Sequence, residues 1–286
     1  MFQKAGSRPP FRKLSQVIVK RASRGLLFSL IAAVGAGVGL AQTTSTATQD
    51  PQAVAILGKY LQVSGGTGAL ESIQDYTESG DVAFNWAGKQ VQGTVTIKGK
   101  GLADFRMDST LPNGTQSWVI NHLSGVLVTI DGKPHDLAPY NLINVGDLTI
   151  PAIRIAAAAN DPSTGISYLG EHTVNGHETY EVQLTPAANP AFAPIQGLAG
   201  AGAIDLFVDA TNFELIEETE TLHGRRNVPQ TYEQEIDFAD YQPEDGVLVP
   251  LSVSEIFAGQ PTWKVTVSSV AFNVGLSDSD FTIPQQ

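Results

Sequence analysis

The chain has 286 residues, with 17 Lys or Arg against 29 Asp or Glu and a formal net charge of −12. It has no cysteine, which excludes disulfides, thiolate zinc sites and cysteine nucleophiles. The acidic balance argues against nucleic acid, whose phosphates it repels, and against electrostatic docking on anionic lipid; it would attract a basic partner surface.

Residues 1–41 read as a secretory signal peptide. Lys4, Arg8, Arg12, Lys13, Lys20, Arg21 and Arg24 form a basic stretch without an acidic residue. The apolar run from Gly25 to Leu40 is 16 residues long and four of them are Gly, against about 20 residues needed to span a bilayer. Gly39-Leu40-Ala41 fits a small-x-small cleavage site, so cleavage is expected after Ala41, with Gln42 first in the mature chain. The alternative is an uncleaved N-terminal anchor. Gly35, Gly37 and Gly39 do not form a nucleotide loop, because no strand precedes them. Cleavage would remove seven of the 17 basic residues and none of the 29 acidic ones, leaving a net charge of −19. The remaining length, about 245 residues, suffices for one domain to bury a core without disulfides.

Residues 42–49 read as a polar, disordered linker. A helix follows, with Asp50 as N-cap and Pro51 in the first turn, where its missing N–H costs nothing. Val54, Ile56, Leu57, Tyr60 and Leu61 form its apolar stripe, and Ser64-Gly65-Gly66 ends it. Gly68 to Ile73 adds a short second turn. From Tyr76 the period falls to two. Five strands are expected, carrying Val82, Phe84 and Trp86; Val91, Val95 and Ile97; Phe105 and Met107; Trp118 and Ile120; and Val126, Val128 and Ile130, the last ended by Asp131-Gly132. The turns at Ala87-Gly88-Lys89 and Pro112-Asn113-Gly114 make them an antiparallel meander. Residues 133–141 are read as irregular. Leu148 to Ala159 reads as a helix, starting at Pro151 and apolar apart from Arg154, placed across the open side of the sheet. Asn175-Gly176 turns a hairpin from Ile166 to Leu184. Residues 186–203 form a long Ala-, Gly- and Pro-rich loop, of a kind that is a functional lid or disordered. Ile204 to Val208 and Glu214 to Leu222 form another hairpin. The chain ends in a three-strand meander between Tyr232 and Val267, turned at residues 243–246 and 258–261.

The expected fold is mainly β, in the α+β class: an antiparallel sheet of about eleven strands with two or three helices, in one domain over residues 50–286. Periodicity alone also allows a closed lipocalin-like barrel or a sandwich. The C-terminal order narrows this. A tyrosine, the acidic turn Glu244-Asp245-Gly246, Val247-x-x-Pro250, Trp263, Asn273 and Leu276-x-Asp278-x-x-Phe281-x-x-Pro284 follow one another. With the opening helix and Gly65-Gly66-x-Gly68-Ala69-Leu70, this order resembles the LolA-like superfamily over Asp50 to Pro284. That group includes periplasmic lipoprotein carriers, the regulator RseB and the mycobacterial protein LppX. The resemblance implies a half-open β-barrel whose helices cover its concave face, with acyl chains held between them.

The large apolar side chains of the sheet are Phe84, Trp86, Phe105, Met107, Trp118, Ile120, Tyr180, Ile236, Phe238 and Trp263. They make either an ordinary filled core or, as the resemblance implies, the wall of an apolar ligand cavity. Asp104-Phe105-Arg106-Met107-Asp108 resembles a strand of the group. Arg106 alternates outward and should pair with Asp104 or Asp108. Carriers have an arginine before a proline at the start of this strand, which holds a lid; Lys100-Gly101 stands there instead. His172 and His177 flank a hairpin tip but share no face with Glu171 or Glu178, so no metal site is expected. Glu217, Glu218 and Glu220 read as an outer acidic surface. Glu255 continues an inward series and could there meet Arg154, but a bulge near Ile256-Phe257 is expected to turn it outward. No Gly-x-Ser-x-Gly, His-Glu-x-x-His or P-loop motif is present, and Asn113-Gly114-Thr115 reads as a turn before it reads as a glycosylation sequon.

The expectation is an exported, periplasmic, monomeric lipid- or lipoprotein-binding protein. It would shelter acyl chains, with transport to the outer membrane as its purpose and a membrane-bound donor or acceptor as a further partner. Neither catalysis nor a cofactor is expected. The alternatives are an RseB-like sensory module and a dry-core barrel serving only protein interaction.

Overall fold

A computed structural model describes residues 47–86 and 88–284. The expected leader, residues 42–46 of the expected linker and Ala87 of the first turn lie outside them. The fold is one antiparallel sheet of thirteen strands with three α-helices on one face. It is open, as the half-open reading expected, with two more strands than the eleven read from the pattern.

The first helix, α1 (Pro51–Val63), starts as its sequence dictates: the Asp50 carboxylate accepts from the N–H groups of Gln52 and Ala53 at 2.7 and 3.2 Å. Its buried face is Ala53, Ile56, Leu57, Tyr60 and Leu61. Val54, assigned to that stripe by spacing, is exposed. A short α2 (Thr67–Glu71) follows. Five strands then run as a meander: β1 (Asp75–Trp86), β2 (Lys89–Lys100), β3 (Asp104–Leu111), β4 (Gly114–Asn121) and β5 (Ser124–Val128). The stretch read as irregular contains a sixth, β6 (Pro134–Asp136), and a 3₁₀ turn at Pro139–Asn141. Three residues are too few to show a period.

After β6 comes α3 (Ala152–Asn160). The second half is β7 (Gly165–Val174), β8 (His177–Thr185), β9 (Ile204–Asp209), β10 (Leu215–His223), β11 (Thr231–Glu244), β12 (Val247–Phe257) and β13 (Gln260–Phe272). The spatial order is 6-5-4-3-2-1-13-12-11-10-9-8-7. The chain therefore leaves one edge of the sheet at β6 and re-enters at the other edge as β7. The connection, residues 137–164, straps the helical face and carries α3.

The sheet curls strongly. Trp118 on β4 and Trp263 on β13 stand four strands apart, about 19 Å in a flat sheet. Their rings nevertheless meet edge to face at 6.3 Å. The β7 edge is partly covered. Residues 47–49, read as linker, bind along it through a parallel bridge from Gln49 to Ile166, and the Ile166 N–H donates to the Thr48 carbonyl at 3.0 Å. Covering an edge this way blocks pairing with other chains. The long loop 186–203 is packed too. It buries Phe192 and Leu198, and Phe192 meets Tyr140 of the strap edge to face. Gly202 has φ +86°, and a Cβ there would lie 2.8 Å from Ile143 of the strap, so only glycine suits this approach.

The opposite face of the sheet has its own small seal. A 3₁₀ turn at Asp278–Phe281 packs on β3 and β4 and buries Phe281 completely. Lys98 and Lys100 hold Asp280 and Asp278 at 2.7 and 2.6 Å. Arg106 faces outward as expected, bonding Asp108 at 2.7 Å and the Asp280 carbonyl at 3.2 Å. Phe281→Ala should cost about 3–5 kcal/mol of unfolding free energy in urea titrations, the usual loss for a buried aromatic. A loss under 1 kcal/mol would mean that the turn does not secure β3 and β4.

Candidate ligand-binding groove

At the curled end of the sheet, an open groove of about 430 Å³ lies between the strands and the strap. Its floor follows from register. Phe84 on β1 pairs with Trp263 on β13, Trp263 with Glu255 on β12, and Glu255 with Ile236 on β11. Directly opposed residues share a face, so Phe84, Trp263 and Glu255 form one row across three strands. Trp86 extends the row and stacks on Phe84 at 5.6 Å. Gln116, Trp118 and Ile120 of β4 make one wall, and Leu137, Ala138, Leu142 and Val145 of the strap make the roof.

Of the ten residues expected to wall a cavity, Phe84, Trp86, Trp118, Ile120 and Trp263 line this groove. The other five do not. Phe105, Met107, Ile236 and Phe238 are buried within the filled core. Tyr180 lies apart on β8, in ring contact with Phe213 and Tyr168. Sequence reasoning missed the strap residues and Phe257 of β12, which also line it. An apolar run just after a short strand was the available signal.

The groove has one polar corner. Glu255 is buried and remains inward, which corrects the expectation of an outward turn. The register does shift beside it, but the extra residue is Thr262 of β13, after the Glu255–Trp263 pair. Its two oxygens are both engaged: Oε1 accepts from Gln234 Nε2 and Oε2 from the Thr262 hydroxyl. Burial raises its carboxyl above the ordinary range, while Thr262, Gln234 and Trp263 favour its ionised form. Among the described residues, the buried indole Nε1 of Trp118 has no acceptor; that of Trp263 has none in strict hydrogen-bond geometry, yet it lies close enough to Glu255 to favour the ionised carboxyl.

Arg154 of α3 meets Glu218, not Glu255. Its Nη2 donates to Glu218 at 2.7 Å and its Nε lies 3.4 Å from Asp147. Asp147 also accepts the Arg154 backbone N–H at 2.8 Å, satisfying one donor at the start of α3. The acidic run on β10 is thus corrected. Glu218 and Glu220 point into the helical face, Glu220 accepting from Asn144 at 2.7 Å, and Glu217 is buried on the other face, near Glu235 and Asp237. A surface run was expected because the partners that bury it, Arg154 and Asn144, lie far away in sequence. His172 and His177 are held by separate carboxylates, Glu181 at 2.6 Å and Asp209 at 2.7 Å.

The chain matches no protein-family model and no curated protein. Solved structures similar to it include the LolA superfamily protein NE2245 from Nitrosomonas europaea, at 12% identity over 81% of this chain and 97% of that one, with a TM-score of 0.49. A DUF1329 family protein from Desulfovibrio piger follows at 12% identity, 80% and 96% coverage and 0.48. The Mycobacterium tuberculosis lipoprotein LppX stands at 12%, 80%, 98% and 0.27. The group that the sequence resembles is among its structural neighbours. At these identities and scores the likeness assigns no function to this chain.

Several buried carboxyls share one pH signature. Burial pushes Glu78 up to about 7, although Thr149 donates to it at 2.5 Å and partly opposes the shift. Asp147 and Glu220 are also raised to about 7, mainly by burial. A carboxyl raised on folding binds a proton that the unfolded chain has released. Its contribution is complete below the unfolded value and is lost as pH rises through the folded one. The melting temperature should therefore fall between about pH 5 and pH 8. Glu78→Gln should flatten part of that fall and leave the variant more stable than the parent at pH 8, by on the order of 3 kcal/mol. Calorimetry of both proteins across this range checks it; identical pH profiles would show that Glu78 is not buried as described.

Proposed function

We propose that this chain is an exported, periplasmic binding protein that shelters acyl chains of a lipid or lipoprotein in the groove, without catalysing a reaction. The observation that carries this reading is the groove itself: open, about 430 Å³, and walled by Phe84, Trp86, Trp118, Ile120 and Trp263 with an aliphatic roof. That volume lies in the range of small-molecule sites, about 300–1,000 Å³. Each methylene buried there contributes about 0.8 kcal/mol, so a single chain of modest length binds by burial alone. The basic and apolar leader supports export, and the LolA-like resemblance of the sequence supports an acylated ligand and delivery between membranes. The protein acts as a monomer, and the acidic surface of the mature chain suits a basic donor or acceptor protein.

The test is displacement of a neutral fluorescent apolar probe from the mature protein. Trp86→Ala and Trp118→Ala should each weaken probe binding by about tenfold or more, the effect of removing well over 1.4 kcal/mol of aromatic contact. Unchanged binding in both variants would show that the groove is not where the ligand sits.

A further inference from the structure

The outer face of the sheet carries a feature that is independent of the groove. Glu217 of β10 stands directly opposite Asp237 of β11, and Glu235 lies two residues before Asp237 on the same strand. Opposed residues, and residues two apart on a strand, share a face, so the three carboxyls project together. One oxygen from each lies within 4.8 Å of one from each of the others.

An acidic cluster alone says little; the position of Glu217 says more. It is 8% exposed and its carboxyl is aimed at those of Glu235 and Asp237. No hydrogen-bond donor or basic side chain partners it. Its oxygens, unlike Glu78 Oε1, keep contact with solvent, so an ion can reach them. Glu235 has no donor either. Asp237 alone is held, by Asn175 Nδ2 at 2.7 Å and by the Ser254 hydroxyl at 3.4 Å. Asn175 belongs to the turn between β7 and β8, and β8 is three strands from β11 in the sheet order, so this bond brings the hairpin tip to the cluster.

The charge is not balanced locally. The first basic residue along this row is Lys264, which pairs with Ser254 beyond Asp237. It stands two strands from Asp237, about 10 Å in a flat sheet. Burial, then the charges of Glu235, Asp237 and Glu233, push the Glu217 carboxyl up to about 8. A proton or a cation would relieve the repulsion, and the geometry favours a cation, since three oxygens converge on one point. Carboxylates without imidazole or thiolate form a hard, all-oxygen set, which suits calcium rather than zinc or copper. Calcium binds oxygen at about 2.3–2.6 Å and tolerates irregular geometry, so ligand oxygens up to about 5 Å apart can share one ion, with water filling the remaining positions.

We infer that Glu217, Glu235 and Asp237 form a calcium site on the outer face of β10 and β11, with Asn175 orienting Asp237. Three ligands on a partly open face correspond to the affinity of extracellular calcium modules, a Kd of about 0.1–1 mM.

The experiment is calorimetric titration of the chelator-treated mature chain with calcium chloride at about pH 8, where protons compete least, together with melting curves. Calcium should bind in that affinity range, and about 10 mM should raise the melting temperature by about 3 °C or more. Magnesium, which dehydrates reluctantly and demands an octahedron, should raise it less, as should sodium at matched ionic strength. Glu217→Gln, Glu235→Gln and Asp237→Asn should each weaken calcium binding at least about tenfold. In chelator, Glu217→Gln should melt no lower than the parent, because it removes a buried, repelled charge. Should the variants fail to fold, crystals of the unmodified chain soaked in manganese chloride decide, with an anomalous peak expected among the three carboxylates. Equal responses to calcium, magnesium and sodium would mean general screening of the acidic surface and would overturn the inference. Calcium binding that survives all three substitutions, or a manganese peak only elsewhere, would overturn it too. None of these readouts involves the groove.

Discussion

The crossing from β6 to β7 is the constraint on which the rest of the structure depends. These two strands are the opposite edges of one thirteen-stranded sheet, so the chain between them must span the sheet's whole width. It does so on the apolar face, which becomes the inside. Strap and helices then divide that face. α3 packs on α1 and on α2, and α1 reaches β7 and β8, while the curled end of the sheet keeps an open mouth. The groove is the part of the inner face that neither helix nor strap fills.

Holding the strap down involves buried charge. Arg154 stands among Glu218 and Asp147, both buried, with the half-buried Glu220 beside them. Burial disfavours the Arg154 charge, but Glu218 and Asp147 outweigh it and keep the guanidinium protonated. Such a cluster adds little net stability, because desolvation offsets much of the attraction, yet losing one partner is expensive. Its value here is positional: it ties α3 to β10. Neutral hydrogen bonds complete the fixing, from Tyr140 to the Gly224 carbonyl at 3.1 Å and from Asn141 to the His223 carbonyl at 2.9 Å. The strap is thereby attached to β10 and to the turn after it, and the position of the groove follows from it.

What could be read from the residues was whatever is local. The Asp50-Pro51 start of α1, the Asn175-Gly176 hairpin and the alternation of β1 to β4 need only neighbours in sequence, and all are present. The three residues of β6 gave too short a pattern to see. Glu218 and Glu220 were placed outside because alternation says which residues share a face, not which face is covered. Their burial depends on Arg154 and Asn144, brought over by the strap. The same reason splits the apolar list. Phe105 and Trp118 belong to one continuous inner face, paired through Met107, yet only Trp118 reaches the groove. Where the roof ends decides between filled core and open wall, and that is a property of the crossing, not of any single strand.

The central claim is that the groove holds an acyl chain in the protein's own host. The most direct measurement is native mass spectrometry of the mature protein purified from that host, followed by organic extraction of whatever it carries. The account predicts a chain beginning at Gln42, with bound mass that extracts as acyl-chain lipid. A protein that emerges empty, and stays empty when offered such lipids, would contradict it.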